Sequence, residues 1–290
     1  MRTVTALAAL TLLAHPALLA AQSSAAQDLA LGDSARAALQ SDVALAHYQA
    51  AVKAISGTAG TDSAGLAAVR LPNPEFCEAL WKAAREISDV AKQLLGDSLK
   101  DRRDSLYAQG RVWAEAAVRA DSTNADAHFS LALVLGRLSR TRGGKERVRF
   151  AKIIYDEAAL ALQRNPRHDA AAHILGMWHA EVKRLSGFTK FFAKTLFGAG
   201  FMDRASWDSS LAYMQRAVEL NPNYIYHHLE LAGVYVDLEQ FDQAAAQLQE
   251  IPHLPTTDPM DHYYREVAAK ALAELQAKKT DDAKDLLRKG

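Results

Sequence analysis

Ten histidines and a single cysteine are the residues of widest chemical range in this chain of 290. His173 and His179 stand six positions apart, and His227 and His228 are adjacent. A helix that binds metal on one face spaces its histidines four apart, and neither pair does so. Glu181 is two positions from His179, which sends the two side chains to different faces of a helix. These histidines read as packing and solvated residues. No Cys/His cluster offers a zinc site. No Gly-x-Ser-x-Gly stands ready to hold a serine nucleophile, and Cys77 has no suggestive neighbour in sequence. Gly143-Gly144-Lys145 lacks the upstream glycine and the preceding strand of a phosphate-binding loop. The residue types point to a binding protein, with no catalysis, cofactor or metal expected.

Two clusters invite a partner. Arg140, Arg142, Lys145, Arg147 and Arg149 surround one acid, Glu146. This run reads as a solvated loop leading into a helix; contact with anionic lipid or with a protein is the alternative. Phe188, Phe191, Phe192, Phe197 and Phe201 follow, interleaved with Lys190 and Lys194. Phe188, Phe191 and Phe192 share a helical face with Leu196. The reading is an extra helix roofing a core; a membrane-touching or partner-docking helix is the alternative. The chain as a whole is neutral, 34 basic residues against 34 acidic, so no field draws nucleic acid to it.

The elements that must position these residues are helices. From Leu29 onward apolar residues recur at three and four, alanine is abundant, and no stretch alternates with the period of a strand. Three phrases repeat: Ala114 to Ser122, Ala158 to Pro166 and Met214 to Pro222. Each places an alanine at the same point, Ala117, Ala161 or Ala217, and each leads into another helix. Those helices carry a Leu-small pair at Leu131-Ala132, Leu175-Gly176 and Leu231-Ala232. Small residues let two helices approach closely, and stacked hairpins share a core that one hairpin cannot bury. The pattern is similar to the tetratricopeptide repeat, best in the unit with His228, Leu231, Ala232, Tyr235, Phe241, Ala244 and Leu248. A further copy fits Leu31-Gly32 with Ala44, Tyr48 and Ala51. Leu131 to Leu175 spans 44 residues and Leu175 to Leu231 spans 56, so the middle repeats carry inserts, against a standard of about 34.

Before the repeats lies Met1-Arg2, an apolar run from Ala6 to Ala20 and small residues beyond it. This reads as a signal peptide over 1–26, cut after Ala21 or Ala26, with an uncleaved anchor as the rival. A helical hairpin is expected over 27–57, a linker over 58–74, the repeat domain over 75–277 and a tail over 278–290. Asp258-Pro259 is expected to cap and open the last helix. Lone Cys77 permits no disulfide within the chain, and a buried inert thiol is expected.

The inserts make a narrower likeness. From His128 to about Leu275 the chain resembles the tetratricopeptide-like domain of the regulator of microtubule dynamics family. Gly143-Gly144-Lys145-Glu146-Arg147-Val148 matches its Gly-Lys-rich loop. Leu175-Gly176-Met177-Trp178-His179-Ala180-Glu181-Val182 matches its Leu-Gly-x-Trp-x-x-Glu-Val helix, and Leu185-Ser186 and Phe197-Gly198 follow in order. Met177 stands where the family carries a basic residue, and the proline after Phe-Gly is absent from Gly198-Ala199-Gly200. The resemblance implies an all-α, right-handed superhelix of helical hairpins, with long inserts and a C-terminal capping helix. Three to five pairs are expected.

In that architecture the first helix of each pair lines a concave groove. The lining expected is Phe129, Leu133, Arg137 and Arg140, then His173, Met177, Glu181 and Arg184, then Tyr226, Leu229 and Asp237. The expected function is a non-catalytic adaptor that binds a protein or peptide in this groove, in the periplasm or outside the cell. Members of the family associate with microtubules, or tether membranes and handle lipids. The resemblance therefore implies a lipid or amphiphile ligand as the alternative, and a microtubule-associated role if the leader is not a signal peptide. No transmembrane segment is expected in the mature chain.

Overall fold

The computed structural model describes residues 16–57, 61–68 and 72–289, and every regular element among them is helical. Helices α1 (Pro16–Ala37) and α2 (Ser41–Ser56) form the first hairpin, and the short α3 (Ser63–Ala68) follows. Helices α4 (Pro74–Lys92) and α5 (Lys100–Ala120) pair next, then α6 (Ala125–Ser139) and α7 (Gly144–Arg164). Helix α8 (Asp169–Arg184) pairs with α10 (Trp207–Leu220) across the inserted α9 (Gly187–Phe197). Helices α11 (Ile225–Asp237) and α12 (Phe241–Glu250) form the fifth pair, and α13 (Asp261–Gln276) and α14 (Thr280–Lys289) the sixth. Each second helix packs against the first helix of the next pair, which builds a superhelical stack. Among the described residues no helix is long and apolar enough to cross a membrane.

The repeated phrases have one structural meaning. Ala117, Ala161 and Ala217 are fully buried, and each carbonyl accepts the N–H four residues on, from Asp121, Asn165 and Asn221. Each phrase then closes in the same turn, with Asn124, His168 and Tyr224 donating back to those three residues. The small residues act as expected. A Cβ on Gly176 would lie 2.6 Å from the Met214 side chain, and one on Gly32 would overlap the Tyr48 ring. Ala132 and Ala232 are fully buried.

A second shared turn joins α1 to α2, α11 to α12 and α13 to α14. Leu39, Glu239 and Lys278 each adopt a left-handed conformation with φ near 58–59°. The next residue donates back across the turn, from Gln40 to Ala35, Gln240 to Tyr235 and Lys279 to Glu274. This double-bonded ending satisfies the last carbonyls of a helix. It also identifies α13 and α14 as a repeat pair, where a single capping helix and a tail over 278–290 were expected. The reason is α14's buried edge, Ala283 and Leu287, together with its charges. Asp237, its side chain 1% exposed, takes Arg184 of α8 at 2.7 Å and Arg288 of α14 at 2.6 Å.

Other boundaries shift. Helix α1 starts at Pro16 and runs through both expected cleavage points, with Ala25 buried; residues 1–15 lie outside the described set. Within the expected linker, α3 buries Leu66, and Thr61 accepts a hydrogen bond from the Trp113 indole at 3.2 Å. Most of the first insert is added length on α7, not loop. Asp258 does not cap α13. Its Oδ1 accepts from Met260 N–H, its Oδ2 takes Lys92, and the helix starts at Asp261. Cys77 is buried, and burial pushes its thiol up to about 12.

The stack closes on itself. Lys92, at the end of α4, meets Asp258 at 2.6 Å, with side chains 7% and 5% exposed. Burial works against the Lys92 charge, but Asp89 and Asp258 reverse this and raise its pKa. Lys92→Met leaves Asp258 without a cation, its remaining partners being the Tyr224 hydroxyl at 3.0 Å and the Met260 N–H at 2.8 Å. Removing one partner of a buried pair should destabilise the protein by about 3–5 kcal/mol. Urea denaturation checks this, with Lys92→Met/Asp258→Asn recovering part of the loss; a change below about 1 kcal/mol would show the contact to be a surface pair.

Candidate functional site

The first helices α4, α6, α8 and α11 turn one face inward, and Thr256 to Pro259 closes the far side. Between them runs an open groove of about 1180 Å³. Seven of the expected site residues line it: Phe129, Arg137, Arg140, His173, Met177, Glu181 and Tyr226. Leu133 lines it as well. Three do not. Leu229 is 1% exposed and belongs to the core of the last pairs. Arg184 and Asp237 pair with each other beneath α14, on a surface that exists because α14 folds there. Glu181 is held by Arg184 at 2.7 Å.

Helix α9 partly roofs this groove. Ala193 is buried, and Thr189, Ala193 and Phe197 line the groove. Phe191 and Leu196 remain exposed, so the expected face is not wholly buried. The Phe188 and Phe192 side chains lie outside the described set. Trp178 sits deeper, its indole donating to Ala151 O at 2.7 Å, with Tyr155 against its face. Arg140 and Arg147 of the basic run line the groove too.

Helix α4 supplies groove residues that the sequence reading missed: Arg85, Glu86, Asp89 and Lys92. Their signal was present. Lys82, Glu86 and Asp89 are buried on a helix that is otherwise largely apolar on that side, at spacings that keep them on one face. Arg36 of α1 reaches Glu86 at 2.5 Å and Asp89 at 2.8 Å, and Lys92 reaches Asp89 at 3.0 Å. Burial opposes ionisation of Asp89, but Lys92 and Arg36 overcome it and hold its carboxyl below the usual range.

Charge in the groove is nearly balanced, seven carboxylates against six basic side chains, but unevenly paired. Asp33, Glu86, Asp89, Asp126, Asp169, Glu181 and Asp258 all have partners. Among the described residues, Arg85, Arg137, Arg140 and Arg147 have no carboxylate at ion-pair distance. Arg85 lies over the Trp81 ring at 4.9 Å with its Nε buried and unpaired. Arg137 lies over the Tyr226 ring at 5.8 Å. A guanidinium withdrawn from water without an anion is costly, so each of these arginines favours a negatively charged group on an occupant.

Two histidines join α8 to α11. His173 Nδ1 and His227 Nδ1 are 2.9 Å apart, and His227 Nε2 is 3.2 Å from Asp169 Oδ2. Burial lowers the pKa of His173 first, aided by His227 and Arg137 and opposed by Asp169. Burial lowers His227 too, with Asp169 opposing. Both rings are therefore neutral near pH 7. The unfolded chain takes up histidine protons below about pH 6.5 that the folded pair refuses, so stability is lost as pH falls through that value. The slope approaches about 1.4 kcal/mol per pH unit for each ring. His128, raised by its hydrogen bond to Glu157, works in the opposite direction. The melting temperature should drop between pH 7.5 and 5.5, and less steeply in His173→Phe/His227→Phe; equal slopes would place the acid sensitivity elsewhere.

Known proteins resemble this chain at three levels. The family profile described as Regulator of microtubule dynamics protein 1-3 matches residues 36–276. Regulator of microtubule dynamics protein 1 of Bos taurus is 28% identical over 199 residues, 68% of this chain and 62% of that protein. Regulator of microtubule dynamics protein 2 of Homo sapiens is 25% identical over 205 residues, 69% of this chain and 48% of that protein. The chain thus matches less than two thirds of the length of either relative. Among solved structures, a thermophilic TPR protein of Thermus thermophilus superimposes with a TM-score of 0.56 at 20% identity, covering 86% of this chain and 99% of that one. That likeness concerns the fold alone.

Proposed function

Because the chain belongs to the regulator of microtubule dynamics family, we propose that it works as a non-catalytic helical-repeat adaptor whose groove holds an extended segment of a protein partner. The observation that carries this reading is the groove itself. It is open, it runs across successive first helices, and it sets apolar residues such as Leu133, Ile174 and Met177 beside unpaired arginines. A closed apolar chamber would suit a lipid carrier better; a charged rim around apolar ground suits a polypeptide.

The test is binding to an array of random twelve-residue peptides, read beside native mass spectrometry of the purified protein. Wild type should select a subset of peptides. Met177→Glu, which puts a charge on the apolar floor, should weaken those by at least tenfold while leaving the melting temperature within a few degrees. Co-purified lipid with no peptide selected would replace the adaptor with the amphiphile reading.

Export is part of the same proposal. The basic start, apolar run and small residues up to Ala26 suit a cleaved leader. Cleavage after Ala21 keeps the buried Ala25 in the first hairpin, and this favours it over cleavage after Ala26. The relatives are named as regulators of microtubule dynamics; an exported chain would serve a different partner. N-terminal sequencing of protein expressed with its leader should find Gln22 first. Retention of Met1 would remove the export reading and restore the microtubule-associated one.

A further inference from the structure

The hydrogen bonds around the histidine pair fix where its protons sit. Asp169 also accepts from the Asn221 amide at 2.8 Å, and its carboxyl is held well below the usual range: burial opposes ionisation, and His227 and Asn221 overcome that. As an anion, Asp169 accepts only, so His227 Nε2 carries the proton and donates to it. His227, neutral, then has a bare Nδ1. The 2.9 Å contact between the two Nδ1 atoms needs one donor, so His173 Nδ1 carries a proton and donates to His227. His173 Nε2 is left as a lone pair with no partner among the described residues. His173 lines the groove.

Beside this acceptor stands a cation without a counterion. The Tyr226 ring carries His173 on it at 5.1 Å between centroids and the Arg137 guanidinium at 5.8 Å. The groups bearing most on Arg137 are the phenols of Tyr107, Tyr224, Tyr226 and Tyr264. Burial raises all four phenol pKa values, so none is negative near neutral pH. Arg137 is a charge that the protein itself does not neutralise.

The two groups, both against the Tyr226 ring, make a joint demand: an anion for Arg137 and, beside it, an N–H or O–H for His173. A fatty-acid carboxylate or a phosphate diester meets the first and leaves the second unmet. Protonating His173 to suit them is opposed by its burial and by Arg137. The last residue of a polypeptide meets both, since its amide nitrogen and its carboxylate oxygens are roughly 3 Å apart through one Cα. One helical turn from Arg137 is Leu133, and one turn from His173 is Met177, and both line the groove. These offer an apolar place for the terminal side chain.

We propose that the groove seats the free C-terminal residue of a polypeptide with an apolar last side chain, Arg137 pairing with its carboxylate and His173 Nε2 accepting its amide N–H. The proposal rests on the groove being a peptide site and adds which part of the peptide is read.

Fluorescein-labelled hexapeptides ending in Ala-Ala-Leu or Ala-Ala-Phe serve as probes, each made as free acid, as C-terminal amide and with the last amide N-methylated. Binding is followed by fluorescence anisotropy at pH 7.5. The free acids should bind at least tenfold tighter than the amides, and N-methylation should weaken binding several-fold. Arg137→Met should abolish the preference for acid over amide. His173→Phe should abolish the preference for N–H over N-methyl while keeping that for acid. Circular dichroism melts of both variants separate loss of recognition from loss of fold. Acids and amides binding equally, both lost in Met177→Glu, would overturn the seat and leave the groove reading standing. Oleate or lysophosphatidate competing through Arg137, with no free-acid peptide bound at millimolar concentration, would overturn both.

Discussion

Lys92 and Asp258 are separated by 166 residues and meet in the interior. A stack of helical pairs is otherwise quasi-one-dimensional, each pair touching only its neighbours. This contact ties α4 to the turn before α13, and the same Asp258 oxygen accepts from the Tyr224 hydroxyl at the head of α11. Buried ion pairs add little net stability compared with well-packed apolar groups, because both charges must leave water. Their geometry is demanding, however. A stack with looser or tighter curvature would strand Lys92 or Asp258 as a lone buried charge. The pair therefore sets the curvature, and the curvature sets the width of the groove.

The groove inherits a division of labour from this arrangement. Carboxylates are consumed internally: Glu86 and Asp89 by Arg36, Asp258 by Lys92, Asp169 by His227 and Asn221. The residual positive groups, Arg85, Arg137, Arg140 and Arg147, then face the groove without a carboxylate at ion-pair distance among the described residues. A groove whose lining has seven carboxylates and six basic side chains thus still leaves four guanidiniums without a carboxylate at ion-pair distance. Net charge argues against a general attraction for nucleic acid, and it says nothing of how individual charges are paired inside a cleft.

Much of this was legible in the sequence because the repeats write the same physics several times. The buried alanines, the turns after Asp121, Asn165 and Asn221, and the glycine under Met214 all follow from phrases that recur. Lining residues on α6 and α8 could be placed by register from the Leu-small pairs. What could not be read has particular causes. The turns at Leu39, Glu239 and Lys278 are left-handed without glycine, and nothing in a leucine, glutamate or lysine announces that. Helix α14 opens with Thr280-Asp281-Asp282 after Lys278-Lys279, a run polar enough to pass for a tail. Missing it put Arg184 and Asp237 in the groove, since the surface they bury against was not anticipated. The role of α4 was missed because Lys92 finds its partner far along the chain, and periodicity carries no such information.

Trp178 gives the protein an optical property. Its ring lines the groove, 4.7 Å from Tyr155 and 5.2 Å edge-on to His179, and its indole hydrogen bond to Ala151 holds it still. An indole in the wall of a cleft alters its emission when an occupant changes the polarity around it. The protein thus carries an intrinsic fluorophore at its own cleft, in a place where no dye need be attached.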